Sequence, residues 1–567
     1  MGAGDNLLLK LDETVTQTLS EWDIYTTSIA AVIVAIFAYQ VFTRRDPDVH
    51  PMLLARQSQA SPVRNQGESA VFRSHGAPHG MTLNSGLNVK DPGASRWSRG
   101  RDGDLRDVWR RVVNGPNDDD GKASGVRGRL LTVLGTERII EHDLGTVFQN
   151  RMILLTNSTP HVDEVTQVIN IIGQCIKQNG GQRVAIYLPN SVELLATIFA
   201  GAFNGFTPIL LPYDQSSAAI SSMLQESEAD TLVASAGSIP FEDVTKGHPA
   251  LQQLIWVADG GSAHMDWNEI PRGAGGNVNV ATWQDIVDEH KAIVSKELPS
   301  TEAKDAPKDL IAFWPSSNKP ELVAYTQANI TSAISGQLSS IPTSQKFGPA
   351  DLFLPADSLS SVYPLVLTFA ALYFNSSVAL NSVAGTNPNL TAATQGIAPT
   401  IIVASAATLS QIHTETASKL SSAFYRTVHW LQTRTLTQDG VMPLSSIITK
   451  FNDSLRPIIG TTPGKLRLVF VSEQAGTITP PLSSTTLSDL RIFTGARVIY
   501  ALTAAKVAGA VTQTGFYDYR IEETGKQSHF GAPVTSVEIF LKDTKDLKTS
   551  DEAAAGEVSL WTLSRED

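Results

Sequence analysis

The chain of 567 residues contains very little cysteine and no excess of positive charge. Its single cysteine, Cys175, excludes an internal disulfide framework and a zinc site built on cysteines. The net charge of -12 argues against nucleic-acid binding, because that function needs a positive surface. The GxSxG pattern of hydrolases and the HExxH pattern of zinc proteases are also missing. With 42% apolar residues, the chain is nevertheless able to bury a large core.

Charge is also missing near the N-terminus, over the twenty residues from Ile24 to Thr43. That length is about what a helix needs to cross the hydrocarbon core of a bilayer. Acidic residues precede the run and two arginines follow it, which predicts an uncleaved anchor with the arginines and the bulk of the chain on the cytosolic side. Residues 1–23 would form a short non-cytosolic terminus, and a buried core helix is the alternative. The organelle stays open among the endoplasmic reticulum, the peroxisome and the mitochondrial outer membrane.

Two further regions differ in amino-acid composition and in hydrophobic pattern. Residues 46–125 are rich in Ser, Gly, Pro and Asn, with few apolar runs, and this composition predicts a disordered tether. From residue 126 to 567 helical patterns alternate with short β-rich runs, as in VDEVTQVINIIGQCIKQ followed by RVAIYLP. Such alternation predicts an α/β domain whose parallel sheets carry helices on their faces. The polar stretch from about 258 to 305 predicts a loop-like insertion.

The stretch GQRVAIYLPNSVELLATIFAGAFNG resembles the adenylate-forming (AMP-binding) superfamily, which includes acyl-CoA synthetases and fatty-acid ligases. Later blocks follow in the family's order, among them DLFLPADSLSSVYPLVLTFAALYF, RIFTGARVIYALTAA and GAPVTSVEIFLKD. The resemblance covers roughly residues 130 to 564. It implies the family's large N-terminal domain, with mixed parallel sheets, flanking helices and a β-rich subdomain. Family members form an acyl-adenylate from ATP and a carboxylic acid with Mg²⁺, and a thiol then takes the acyl group.

The family's phosphate loop, T-S-G-T-T-G-x-P-K-G, falls on residues 313–322 of this chain. Its three glycine positions hold Pro315, Asn318 and Leu322. Glycines allow backbone amides to approach a phosphate closely, and proline has no amide proton to donate. The loop lysine is replaced by Glu321, a negative charge where the polyphosphate would lie. Lys319 could compensate in part.

A second family motif, Y-G-x-T-E, falls on residues 500–504. Its metal-binding glutamate is replaced by Ala504, which cannot bind Mg²⁺. We therefore assign no catalytic and no metal-binding residue. What the resemblance leaves is a degenerate nucleotide site made of Ser316, Ser317, Asn318, Lys319, Thr326, Tyr500 and Thr503.

The sequence also stops soon after GEVSLW, before the family's T-G-D motif and its small C-terminal domain, so that domain is expected to be missing or truncated. These departures favour a membrane-anchored binding or scaffold protein that needs no cofactor and could bind a fatty-acyl chain, an adenine nucleotide or a protein partner. One alternative is a divergent long-chain fatty-acid-CoA ligase that uses ATP and Mg²⁺. The other is a purely structural interaction module.

Overall fold

The computed structural model describes residues 23–43, 45–90, 94–95, 97–115, 130–133, 162–258, 278–299, 307–316, 319–381, 388–443, 453–462, 464–476, 481–522, 527–551 and 555–562. The helices are α1 (Ile24–Thr43), α2 (Pro51–Ala55), α3 (Leu105–Asn114), α4 (Val162–Gln178), α5 (Val192–Asn204), α6 (Ser217–Glu226), α7 (Phe241–Gly247), α8 (Trp283–His290), α9 (Gln327–Gln337), α10 (Val362–Tyr373), α11 (Leu390–Ala393), α12 (Ala406–Ser418), α13 (Ala423–Thr437) and α14 (Ser484–Thr494). The strands are β1 (Ser58–Ala60), β2 (Phe72–Ser74), β3 (Leu130–Val133), β4 (Arg183–Tyr187), β5 (Thr207–Leu210), β6 (Thr231–Ser235), β7 (Gln253–Val257), β8 (Asn279–Thr282), β9 (Leu310–Trp314), β10 (Glu321–Tyr325), β11 (Leu352–Pro355), β12 (Ser377–Asn381), β13 (Ile401–Ser405), β14 (Leu468–Gln474), β15 (Arg497–Thr503), β16 (Ala510–Gln513), β17 (Ala532–Pro533), β18 (Val537–Lys542) and β19 (Glu557–Thr562).

Three sheets organise these strands. A seven-stranded sheet has the order β10-β9-β5-β4-β6-β7-β8 and is parallel except for the antiparallel pair β9–β10. An eight-stranded sheet has the order β17-β16-β15-β14-β13-β11-β12-β3, parallel from β3 to β15 and antiparallel at the other edge. A small antiparallel sheet has the order β1-β2-β18-β19. The predicted α/β architecture with mixed parallel sheets is confirmed.

Local sequence accounts for the helices between the strands. The amphipathic pattern after residue 161 forms α4 over the full predicted length. Helix α5 ends where Gly205 takes a left-handed conformation, with φ of 82°, which glycine adopts without steric cost. The largest core cluster joins both large sheets through helices, with the ring of Phe199 in α5 centred 5.6 Å from that of Phe369 in α10. This shared core sets the two sheets in a fixed relation.

The prediction of a disordered tether is wrong for the described residues between 46 and 115. Helix α3 buries Leu105, Val108 and Trp109 completely in the main core. The Trp109 ring lies 4.8 Å from the Phe199 ring, and its Nε1 donates a hydrogen bond of 3.1 Å to Thr166 Oγ1. The prediction failed because it rested on the polar composition of the whole segment, whereas the residues that dock α3 are few and lie in one short amphipathic helix.

The same segment also contributes two strands to the small sheet. Strand β2 pairs with β18 at Phe72 and Ile539, so the expected β-rich subdomain is completed by residues from near the N-terminus. Arg73 forms an ion pair with the buried carboxylate of Glu538 across this junction. The expectation of a loop-like insertion is likewise wrong for residues 278–299, because β8 extends the seven-stranded sheet and Trp283 of α8 enters the core.

The predicted N-terminal helix is present as α1. Among the described side chains, no helix has both the length and the apolar character that crossing a membrane requires. The side chains of residues 32 and 35–43 lie outside the described part of the chain. Membrane attachment through α1 stays a prediction.

Replacing Trp109 with alanine tests whether residues 46–115 belong to the folded domain. Because this side chain is fully buried and hydrogen-bonded, we expect Trp109→Ala to destabilise the domain by about 3–5 kcal/mol. The matched control is Trp97→Ala, since Trp97 is 91% exposed and its loss should change stability by less than about 0.5 kcal/mol. Urea unfolding followed by circular dichroism measures both. Equal midpoints for the two variants would show that α3 is not docked.

Candidate functional site

The segment that aligns with the family's phosphate loop is a β-hairpin. Strands β9 and β10 pair in antiparallel register, with Trp314 opposite Glu321. Only six residues of the chain separate these two paired residues. Ser317 and Asn318, two of the expected site residues, lie outside the described residues, whereas Ser316 is exposed in the turn.

Lys319 does not compensate for Glu321 in this structure. Its Nζ lies 2.7 Å from Oε2 of Glu226, at the end of α6. The lysine side chain is 63% exposed, and such exposed pairs contribute at most about 1 kcal/mol. Glu321 itself is exposed at the start of an edge strand. The loop thus presents a carboxylate where the family presents a cation, while the nearby cation is directed to α6.

Two other expected site residues serve the fold. The Thr326 hydroxyl accepts a hydrogen bond of 3.2 Å from the Asn329 backbone and so caps the N-terminus of α9. Tyr500 is fully buried in β15, where its hydroxyl accepts a hydrogen bond of 3.0 Å from the backbone of Leu482. Burial raises the pKa of Tyr500, so the phenol stays neutral. Neither side chain lies at the surface of the cleft described next.

A narrow cleft lies where the β9–β10 hairpin meets the C-terminal end of β15. The residues that shape it are Trp314, Pro315, Tyr325, Tyr363, Thr503 and Gly509. Of the expected site residues that the structure describes, only Thr503 lines it, and its Oγ1 donates a hydrogen bond of 3.0 Å to the Glu473 carbonyl. The free space is about 10 Å³, which is what one water molecule requires. A ligand larger than water would need the walls to move apart.

Two tyrosines in this cleft differ in their hydrogen bonding. Tyr325 of β10 donates from its hydroxyl to the carbonyl of Ala505, in the turn after β15. Tyr363 of α10 is also buried, yet within the described residues its hydroxyl has no hydrogen-bond partner. Burial raises the pKa of both phenols, so each hydroxyl keeps its proton. The Tyr363 hydroxyl is therefore a buried donor whose capacity to donate is unused among the described residues.

Sequence reasoning missed both tyrosines, although each lies in a segment that it singled out. Tyr325 belongs to the strand that follows the degenerate loop, and alternation of buried and exposed residues along β10 would have placed it inward. Tyr363 lies in the block DLFLPADSLSSVYPLVLTFAALYF, which supports the family resemblance but does not single out this residue. No pattern in the sequence marks these residues as neighbours.

The described residues contain no group of three or more His, Cys, Asp or Glu side chains that could hold a metal ion. Around the cleft, the position of the family's metal-binding glutamate holds Ala504, which packs against the main core. The backbone amide of Val507 donates a hydrogen bond of 3.1 Å to the carbonyl of Ala504, which closes a tight turn. The residues at this turn do not fit a Mg²⁺ site, because none of them offers a carboxylate.

The model of the AMP-binding enzyme family matches residues 163–562. The chain therefore belongs to that family. No curated protein sequence matches it.

Solved structures with the same fold include ligases and a reductase domain. One is the anthranilate CoA ligase in complex with anthranoyl-AMP, at 13% identity and a TM-score of 0.54, over 81% of this chain and 70% of that one. Another is the long-chain-fatty-acid-CoA ligase of Archaeoglobus fulgidus, at 14% identity and 0.53, over 84% and 77%. A third is the A domain of carboxylic acid reductase from Segniliparus rugosus with AMP, at 14% and 0.54, over 81% and 67%. At these identities the likeness shows the fold alone.

Removing each cleft hydroxyl in turn tests this geometry. Tyr325→Phe leaves the partly buried Ala505 carbonyl without its donor, so we expect a loss of about 1 kcal/mol in stability. Tyr363→Phe is the matched control, since the hydroxyl that it removes has no partner, and we expect it to be neutral or slightly stabilising. Urea midpoints of the two variants measure the difference. A loss at Tyr363 equal to that at Tyr325 would contradict the assignment.

Proposed function

We propose that this protein is a membrane-held, ligation-deficient member of its family that binds an acyl ligand or an adenine nucleotide in the cleft instead of converting it. The family and the acyl-CoA-ligase-like fold are established by the comparisons. Loss of activity, membrane attachment and the ligand are the parts that we propose. Fold alone does not decide function, so the residues of the site carry the argument.

The observation that carries the proposal is the short hairpin at the phosphate-loop position. At this position the family's three loop glycines are replaced by Pro315, Asn318 and Leu322, so the backbone is less able to approach a phosphate closely. Pro315 also removes an amide donor beside the cleft. The family has a lysine where this chain has Glu321. Replacing that positive charge by a carboxylate at contact distance makes its electrostatic interaction with a phosphate less favourable by roughly several kcal/mol, at an effective dielectric near 20. ATP-dependent adenylation is therefore disfavoured by backbone and charge together.

The unpartnered hydroxyl of Tyr363 favours retained binding. Leaving a buried donor without an acceptor costs about 1–3 kcal/mol, and a ligand carbonyl or carboxyl oxygen would recover that cost. Tyr363 lies on α10, whose other buried side chains are apolar except for Thr368. Around the cleft, apolar residues such as Val362 and Val507 stand beside polar ones such as Ser360, Gln474 and Thr503. Apolar walls with a few polar groups are typical of small-molecule sites. We infer that an acyl carboxyl group binds here after the cleft widens.

Attachment to the membrane is supported by the exposed face of α1. Ile24, Tyr25, Ile29, Ile33 and Val34 are each more than half exposed, so this part of the helix does not pack into the domain. An apolar helix without a protein partner fits a lipid environment. We propose that α1 anchors the protein with its domain on the cytosolic side of an organelle membrane.

Pyrophosphate release tests the loss of ligation. We expect the protein with ATP, Mg²⁺ and a panel of fatty acids to release no more pyrophosphate than the protein without fatty acid. The variant Ser316→Ala with Ser317→Ala should then behave identically, because neither hydroxyl is used. Removing one transition-state stabiliser typically lowers a rate by about two to three orders of magnitude. Fatty-acid-dependent release that the double variant abolishes would identify a working ligase.

Lipids that co-purify with the protein test the retained binding. We expect mass spectrometry of extracts to find one acyl species in near-stoichiometric amount, since the site converts nothing. Tyr363→Phe should lower the recovered amount, because it removes the donor offered to the ligand, and it is not expected to unfold the protein. Equal recovery from both proteins would refute the Tyr363 contact. Absence of acyl and nucleotide ligands from both would favour a structural interaction module.

A further inference from the structure

Helix α13 exposes an apolar face that is unusual for this acidic chain. Phe424, Trp430 and Leu431 are 53%, 56% and 44% exposed. They lie at helical spacing on one side of α13, together with Arg426 and Arg434, which are exposed as well. Large apolar side chains clustered on a surface mark an interaction site.

The charge of this helix is opposite to that of the whole protein. Between Glu415 and Asp439 the sequence holds no acidic residue, and it carries Lys419, Arg426 and Arg434. The net charge of the chain is -12, so this stretch is a local exception. Basic residues beside exposed Trp, Phe and Leu are the pattern of helices that lie flat on an anionic lipid surface.

The rotation of α13 is fixed from its inner side. His429 donates from Nε2 to the Asp489 carboxylate on α14 over 2.8 Å, and its ring stacks on the Phe493 ring with the centroids 5.1 Å apart. Val428 and Leu436 are buried beneath the helix. Because these residues face the domain, Phe424, Trp430 and Leu431 face away from it.

The chain that leaves α1 is fastened beside the end of α13. The backbone amide of Asp48 donates a hydrogen bond of 3.0 Å to the Gly440 carbonyl, and its carboxylate accepts from Met442 and Tyr519 at 3.2 and 2.8 Å. Only four residues lie between Thr43, the last residue of α1, and Asp48. The chain from Thr43 to Asp48 therefore spans at most about 18 Å. If α1 is in a membrane, the end of α13 lies close to its surface.

We propose that the outer face of α13 binds the surface of an anionic phospholipid bilayer, with Trp430 in the interface and the two arginines at the headgroups. The inference extends the membrane attachment proposed above, although it does not require α1 to span the bilayer. It also gives the domain a defined orientation, because a helix lying flat on the membrane and a nearby anchor together restrict rotation of the domain about α1.

Fluorescence of the full-length protein in vesicles tests this orientation. An NBD label is attached at Trp430→Cys in a Cys175→Ala background, and vesicles of phosphatidylcholine contain about 30% phosphatidylserine to supply the negative surface potential. Spin-labelled lipids should quench the label strongly. The matched control carries the label at Asp288→Cys, an exposed position on α8, and should not be quenched.

A charge-reversed protein provides the second measurement. Loss of one arginine near an anionic surface lowers the affinity for the membrane by roughly fivefold. The double variant Arg426→Glu and Arg434→Glu reverses two charges, so we expect its affinity for the vesicles, measured by quenching, to fall by more than that. Vesicles of phosphatidylcholine alone should reproduce much of that loss. Urea midpoints equal to those of the parent protein establish that the variant is folded.

Carbonate extraction of the same vesicles separates this inference from the anchor. Quenching in protein that resists extraction supports both proposals, and quenching in protein that is extracted supports α13 while removing α1 as an anchor. Resistance to extraction without quenching at Trp430 would overturn the role of α13 and point to a protein partner on this face. Extraction without quenching would overturn both.

Discussion

The hydrogen bond from Tyr325 to the Ala505 carbonyl joins the two large sheets where the cleft lies. Tyr325 is on the edge strand of the seven-stranded sheet, and Ala505 follows the strand β15 of the eight-stranded sheet. Because the tyrosine is buried, its ring and hydroxyl fix which face of β10 is turned inward. That register determines the hairpin, and the hairpin determines where Pro315 and Glu321 lie relative to the cleft.

A fold of this kind does not depend on its nucleotide loop for stability. The core is formed by apolar side chains of both parallel sheets and of the helices between them, among them Phe199 and Phe369. At the positions where the family holds phosphate and Mg²⁺, Ser316 and Glu321 are exposed, whereas Ala504 packs against this core as one of many apolar side chains. This separation between scaffold and loop is consistent with the family's architecture persisting while Pro315, Glu321 and Ala504 replace the family's loop and metal residues.

Residues 46–115 bind the N-terminal part of the chain to the domain at several places. Asp48 is fastened beside α13, strand β2 pairs with β18, and Trp109 enters the main core. The distance between α1 and the domain is therefore set by a few residues and not by a long flexible segment. Under the proposed membrane attachment, this arrangement couples the position of the domain to that of the lipid surface.

Sequence patterns alone were enough to predict the family, the alternation of helices and parallel strands, and the replacement of family residues by Pro315, Glu321 and Ala504. Those features follow from local periodicity and from residue identity at aligned positions. Tertiary structure alone decided that the polar N-terminal segment is folded, because only a few spaced residues such as Trp109 are buried and their partners are distant in the chain. It also decided that Lys319 faces Glu226 and that Tyr325 and Tyr363 meet in one cleft. Such contacts join residues far apart in sequence, and no local pattern records them.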